Sequence, residues 1–166
     1  MNNKIIVIAD DIRSSHNVGS LLRTCEGLGV EMVYLTGYTP YPLSDKDTRL
    51  PHISSKITKR IVKTSLGAET TINWEHVDNI LNLINDLRKK NYQIIAVELT
   101  DTAIKLSDFK TPDRVAFIFG NERTGIADDH LKHVDQIVYI PMLGSKESFN
   151  VVQSTAMVLY QARFIN

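Results

Sequence analysis

The stretch FIFGNERTGI, residues 117–126, is an apolar run that stops at Gly120 and opens into a polar turn closed by Gly125. The two glycines have the spacing of a phosphate-binding loop, but Ile126 and Ala127 stand where such a loop needs Lys and Ser or Thr. Without that lysine a nucleoside triphosphate loses its main charge partner. A strand end offering peptide groups beside Glu122 suits a nucleoside or amino-acid ligand better. The same residues also make a tight turn with two glycines at positive φ, which is a purely structural use.

Two further stretches carry polar residues of chemical interest. In HNVGSLLRTCEGLGV, residues 16–30, Arg23 lies across the helical wheel from the stripe Val18, Leu21, Leu22, Cys25 and Leu28. Gly19, Ser20 and Gly27 surround it. Glycine inside a helix is unfavourable by about 0.5–1 kcal/mol relative to Ala, so two beside one Arg predict close approach of another chain or a ligand. An Arg so placed suits a phosphate or a developing oxyanion; the plainer reading is a solvated surface Arg. In PMLGSKESFNVV, residues 141–152, Ser148 and Asn150 precede a helix and are of types that cap one. Other candidates are weaker. His130 and His133 stand three apart beside Asp128 and Asp129, but no third ligand cluster accompanies them, so a solvated face is expected and no metal. Cys25 belongs to the apolar stripe and reads as core. The basic runs KITKRIVK, residues 56–63, and RKK, residues 88–90, are usually solvated faces, although the first is suited to touching phosphates.

The elements that position these residues alternate. Strands are expected at 5–9, 31–36, 70–74, 93–99, 114–119 and 136–142. Helices are expected from Asn17, as N-cap, to Gly29, as C-cap, then at 57–66, 77–87, 128–134 and 150–164. Residues 37–52 hold three of the five prolines and read as a long loop. Apolar residues spread around the last helix predict that it is buried or shared with a partner subunit. Such alternation means an α/β fold with a mainly parallel sheet and helices on both faces, with ligands outside the carboxyl ends of the strands. The places to search are therefore the turns after Ala9, Leu99, Phe119 and Met142.

Composition excludes several classes. The 166 residues are 43% hydrophobic and 23% charged, enough for one domain (1–166) with a real core. Lys plus Arg and Asp plus Glu both number 19, so any basic surface must be local. One Cys excludes an internal disulfide, no apolar stretch reaches a membrane span, and the opening MNNKIIVIADD is too short and too acidic for a signal peptide. A cytoplasmic protein without membrane association is expected.

Taken together and in this order, the three stretches resemble the SpoU (TrmH-like) branch of the SPOUT methyltransferases, over nearly the whole chain from about Ile5. The first motif carries Asn17 and Arg23, the second Gly120, Asn121 and Glu122, and the third Ser148 and Asn150. The resemblance implies S-adenosylmethionine-dependent methylation of a ribose 2′-hydroxyl in tRNA or rRNA, by a homodimer. It implies a C-terminal trefoil knot, with the cofactor held around Leu99, Gly120, Asn121, Ile140, Met142, Ser148 and Phe149. It implies Arg23, Asn17, Glu122, Ser148 and Asn150 as the catalytic group. A guanidinium keeps its proton in proteins, so Arg23 would stabilise the forming alkoxide and grip a neighbouring phosphate rather than act as a base. Asn17 would orient Arg23 or the ribose, and Glu122 would bond to Arg23 or to backbone. Phe149 departs from the Leu more usual in the family and enlarges the apolar wall. RNA recognition would fall to the dimer surface, the 41–56 loop and the basic helix after it. A catalytically inactive RNA-binding protein of the same fold is the alternative.

Overall fold

In the computed structural model, which describes residues 3–45 and 47–165, the chain runs β1 (Lys4–Asp10), α1 (Ser15–Gly27), β2 (Met32–Thr36), α2 (Pro51–Ser65), α3 (Ala68–Thr71) and β3 (Trp74–Val77). It continues through α4 (Ile80–Lys89), β4 (Gln93–Val97), β5 (Ile104–Lys105), β6 (Arg114–Phe119), α5 (Asp128–Leu131), β7 (Gln136–Tyr139) and α6 (Val151–Phe164). The seven strands form one sheet in the order β3-β2-β1-β6-β4-β7-β5, and every pairing is parallel. All strand carboxyl ends therefore share one edge of the sheet.

The central strands are apolar on both faces because helices cover both. Ile5, Val7 and Ala9 of β1 face a core that includes Leu21 and Leu22 of α1, Ile61 of α2 and Val158 and Leu159 of α6. Ile6 and Ile8 face the opposite core, built on Leu83, Ile84 and Leu87 of α4, with Leu131 of α5 packed against it. A strand buried on both sides reads as a continuous apolar run.

Several expectations change. Ser14, not Asn17, caps α1: its side chain accepts from the Asn17 amide at 3.2 Å, so Asn17 sits inside the first turn with its side chain free for other partners. At the other end Leu28 is the cap residue and Gly29 (φ 67) follows it. The Gly29 N–H reaches Glu26 and the Val30 N–H reaches Cys25, the paired bonds of a Schellman ending. Helix α2 begins at Pro51, six residues before the expected start, because Pro is suited to the first helical position. Residues 70–74 divide between the end of α3 and the start of β3, so the expected strand begins four residues late. The two-residue β5 lies between a tight turn and a 3-10 turn (Leu106–Asp108) and is too short for a period-2 signal. Gly19 does receive a close approach, but from its own chain. A Cβ there would meet the Ile61 carbonyl oxygen and Thr64 Oγ1 at 2.2 Å each, so glycine lets α1 and α2 touch. Among the described residues no helix is long and apolar enough to cross a membrane.

Candidate functional site

The segment after β6 is fixed by glycine and by carboxylates. Asn121 and Gly125 exchange backbone hydrogen bonds at 3.1 and 3.0 Å, closing residues 120–125 into a narrow loop. Gly125 has φ 69, and a Cβ there would stand 2.3 Å from Glu98 Oε2. Glu98 needs that closeness: its carboxylate accepts from the Ile126 amide at 3.0 Å and the Leu99 amide at 2.9 Å, tying the ends of β4 and β6 together. The Asn121 side chain donates to the Asp11 carbonyl at 2.8 Å, which anchors the loop to the end of β1.

Glu122 is the centre of a second network. Its carboxylate accepts from the amides of Arg13 and Ser14, at 2.8 and 3.2 Å, and from Asn17 Nδ2 at 2.8 Å. Partial burial alone would raise its pKa, but these hydrogen bonds outweigh it and hold the carboxyl below its ordinary value. Glu122 is thus a weak base with its lone pairs already engaged. Asn17 passes the chain onward, since its Oδ1 accepts from Asn150 Nδ2 at 3.3 Å. Asn150 also caps α6, accepting from the Val152 amide at 2.9 Å, with Gln153 reaching back to complete a capping box. Side chains more than 100 positions apart in sequence therefore form one line, Glu122–Asn17–Asn150.

Beside this line lies a cleft of two adjoining lobes, 540 and 590 Å³, at the carboxyl ends of β4, β6 and β7. Such volumes fall in the range of about 300–1,000 Å³ of small-molecule sites. One lobe is walled by Ile140 and Met142, the other by Gly120, Asn121 and Glu122; Leu99, Ser148 and Phe149 border both. All seven residues expected around a cofactor thus line one cleft. Leu99, 66% exposed, and Phe149, 37% exposed, present apolar surface to it. An apolar wall for a purine ring, next to a loop rich in polar and peptide groups, fits an adenosine-bearing ligand.

The structure does not bring Arg23 to this place. Arg23 is exposed and lines a separate hollow with Ser20, Thr24, Gly27, Leu28 and Thr64. Neither Glu122 nor Asn17 bonds to it; Glu122 takes the backbone option instead. Glu98 was not singled out in the sequence, although an acidic residue directly after an apolar strand was the available sign. His130 is not on a solvated face: its Nδ1 lies 2.7 Å from Asp10, a carboxylate only 3% exposed that also accepts from Thr36 Oγ1 at 2.7 Å. Among the described residues no cluster of His, Cys, Asp and Glu is arranged to hold a metal.

Comparison with known proteins finds related sequences and a shared fold. The model of the SpoU rRNA Methylase family matches residues 4–160. Over 159 residues the chain is 26% identical to a tRNA (guanosine(18)-2′-O)-methyltransferase of Aquifex aeolicus, covering 96% of this chain and 68% of that protein. It is 30% identical to the 23S rRNA (guanosine-2′-O-)-methyltransferase RlmB of Neisseria meningitidis, covering 96% of this chain and 58% of the relative. The fold is shared with an AdoMet-bound rRNA methyltransferase from Sinorhizobium meliloti, with TM-score 0.80, 21% identity, and 98% and 57% of the two chains covered.

Proposed function

This chain belongs to the SpoU rRNA methylase family, and from that premise we propose that it is an RNA 2′-O-ribose methyltransferase using S-adenosylmethionine. The observation that carries the reading is the two-lobed cleft bordered by the Glu122–Asn17–Asn150 line. The two relatives named above act on guanosines of tRNA and of 23S rRNA, so RNA of one of these kinds is the substrate class. S-adenosylmethionine, when bound, supplies a methyl group on a sulfonium, which a ribose oxygen can take.

The protein's part is to hold the partners in line and to ease loss of the hydroxyl proton. Leu99, Ile140, Met142 and Phe149 would pack against the adenine ring of the cofactor, and the Gly120–Asn121 turn would meet its polar groups. Ser148 and Asn150, at the rim, orient the ribose. Glu122 fixes Asn17, and Asn17 fixes Asn150, so the amide facing the ribose has one orientation. Arg23 stabilises the alkoxide and grips an adjacent phosphate.

Arg23 lies outside the cleft of its own protomer, so its role goes together with a homodimer in which one chain's Arg23 serves the partner's cleft. Tyr160, Phe164 and Ile165 near the end of α6 are 54–66% exposed, an apolar surface such a pair would bury. The family also implies a trefoil knot. The compartment follows the substrate, the cytoplasm.

The deciding experiment is methyl transfer from labelled S-adenosylmethionine to small RNA and ribosomal RNA from cells lacking this protein, followed by digestion to nucleosides. A labelled 2′-O-methylnucleoside is expected, and the labelled RNA species names the substrate. Cofactor binding without transfer to any RNA favours the alternative of a catalytically inactive RNA-binding protein. Absence of both binding and transfer sinks the methyltransferase reading.

A further inference from the structure

We propose that the outward face of α2 is a phosphate-binding surface that docks the RNA strand flanking the target nucleotide. This deepens the reading of the chain as an RNA-modifying enzyme and rests on RNA being its partner. At about 100° per residue, Lys56, Lys59, Arg60 and Lys63 fall within an arc of about 100°. All four are exposed, and the opposite face, with Ser54, Ile61 and Ser65 buried, packs inward. Helix α2 contains no Asp or Glu, and none of the four cations makes an ion pair among the described residues. In a chain whose formal charges cancel, this is a strong local concentration of one sign.

Two observations decide the occupant. The stripe ends beside Thr64, which lines the same hollow of about 500 Å³ as Arg23 and donates to the His16 carbonyl at 2.8 Å. Lys63, at the end of the stripe, is therefore the chain neighbour of a residue that shares a hollow with Arg23. From Lys56 to Lys63 the helix rises about 10 Å, close to three steps of a nucleic-acid strand at about 3.4 Å each along its axis. A membrane surface is a poorer match, because an interfacial helix inserts one continuous apolar face; in α2 Ile61 and Ile57 pack into the core, and Ile53 and Val62, each 41% exposed, stand on opposite sides of the helix.

The test changes all four residues together, Lys56→Gln, Lys59→Gln, Arg60→Gln and Lys63→Gln, which removes charge while keeping good helix formers. Binding of a 20-base-pair RNA duplex is measured against salt, with S-adenosylmethionine affinity and the thermal midpoint as checks on folding. Each lost phosphate contact flattens the log–log salt dependence by about 0.7–0.9, so a change of about 3 is expected if all four engage. Affinity should fall at least tenfold near 0.1 M salt. In methyl transfer to small RNA, KM should rise by a similar factor while kcat stays within about twofold. A wild-type protein that binds the duplex through these residues yet transfers no methyl group supports the docking surface and overturns only the enzyme reading. Equal salt slopes and equal affinities for wild type and variant overturn the proposal. So does charge-dependent binding to anionic phosphatidylserine vesicles with none to RNA.

Discussion

At the level of single side chains, the site is organised by a carboxylate whose lone pairs are already engaged. Glu122 gathers two backbone amides and the Asn17 amide, and that gathering is why its pKa lies below the ordinary carboxylate value. The pH consequence has a definite sign. A depressed folded-state pKa adds stability that is fully present above the unfolded value of about 4.3 and is lost as pH falls through the folded one. Wild type should therefore exceed Glu122→Gln in stability at neutral pH, and the gap should close as the solution is acidified below the usual carboxylate range. Urea midpoints of both proteins along a pH series measure this. A gap independent of pH would mean that Gln fails for reasons of shape. Arg23 shows the opposite case of an exposed side chain outside the Glu122 network. Arg23→Ala should leave cofactor affinity within about twofold and lower kcat by at least a factor of 100, as loss of one transition-state donor does. Unchanged turnover would remove Arg23 from the reaction.

At the level of elements, α1 carries two glycines with opposite meanings, and the difference is steric. Replacing helical Gly by Ala gains about 0.5–1 kcal/mol from propensity alone. At Gly27 nothing stands within 4 Å of the added Cβ, so Gly27→Ala should raise stability by up to that amount. At Gly19 the methyl would enter the Ile61 carbonyl at 2.2 Å, and forcing two packed helices apart costs about 1–3 kcal/mol. The second effect is larger, so Gly19→Ala should be net destabilising. Denaturant unfolding of the two variants tests the contrast, and it inverts if α1 and α2 separate readily. The sequence marked both glycines as a sign of close approach; only the packing of α2 on α1 separates the crowded one from the open one.

At the level of the whole molecule, one protomer holds the cleft and the Asn17 line, while Arg23 faces another direction. The homodimer proposed for this chain predicts complementation. Arg23→Ala and Asn150→Ala, each inactive alone, should regain activity when their chains are unfolded together and refolded as a mixture. In a two-fold pair one cleft of each heterodimer is then intact, which limits recovery to about a quarter of wild type. No recovery, with heterodimers present by mass, would mean that Arg23 serves its own cleft.

What the sequence determined by itself follows from local physics. Apolar runs marked β1 and β6, helical periodicity marked α1 and α4, and the alternation of strands and helices gave the parallel α/β class. Asn17, Glu122 and Asn150 were legible too, as polar residues beside apolar runs, and the structure joins them in one line. The tertiary structure alone decided what depends on contacts between distant segments. Ser14 caps α1 because its hydroxyl reaches the Asn17 amide, which leaves the Asn17 side chain to bridge Glu122 and Asn150. Residue type allows either asparagine or serine to cap, so the sequence could not choose between them. Glu98 and the His130–Asp10 pair were hidden for the same reason, since their partners lie 28 and 120 positions away. The separation of Arg23 from the cleft was hidden as well, because the direction of a side chain relative to another strand's end is set only when the helices dock on the sheet.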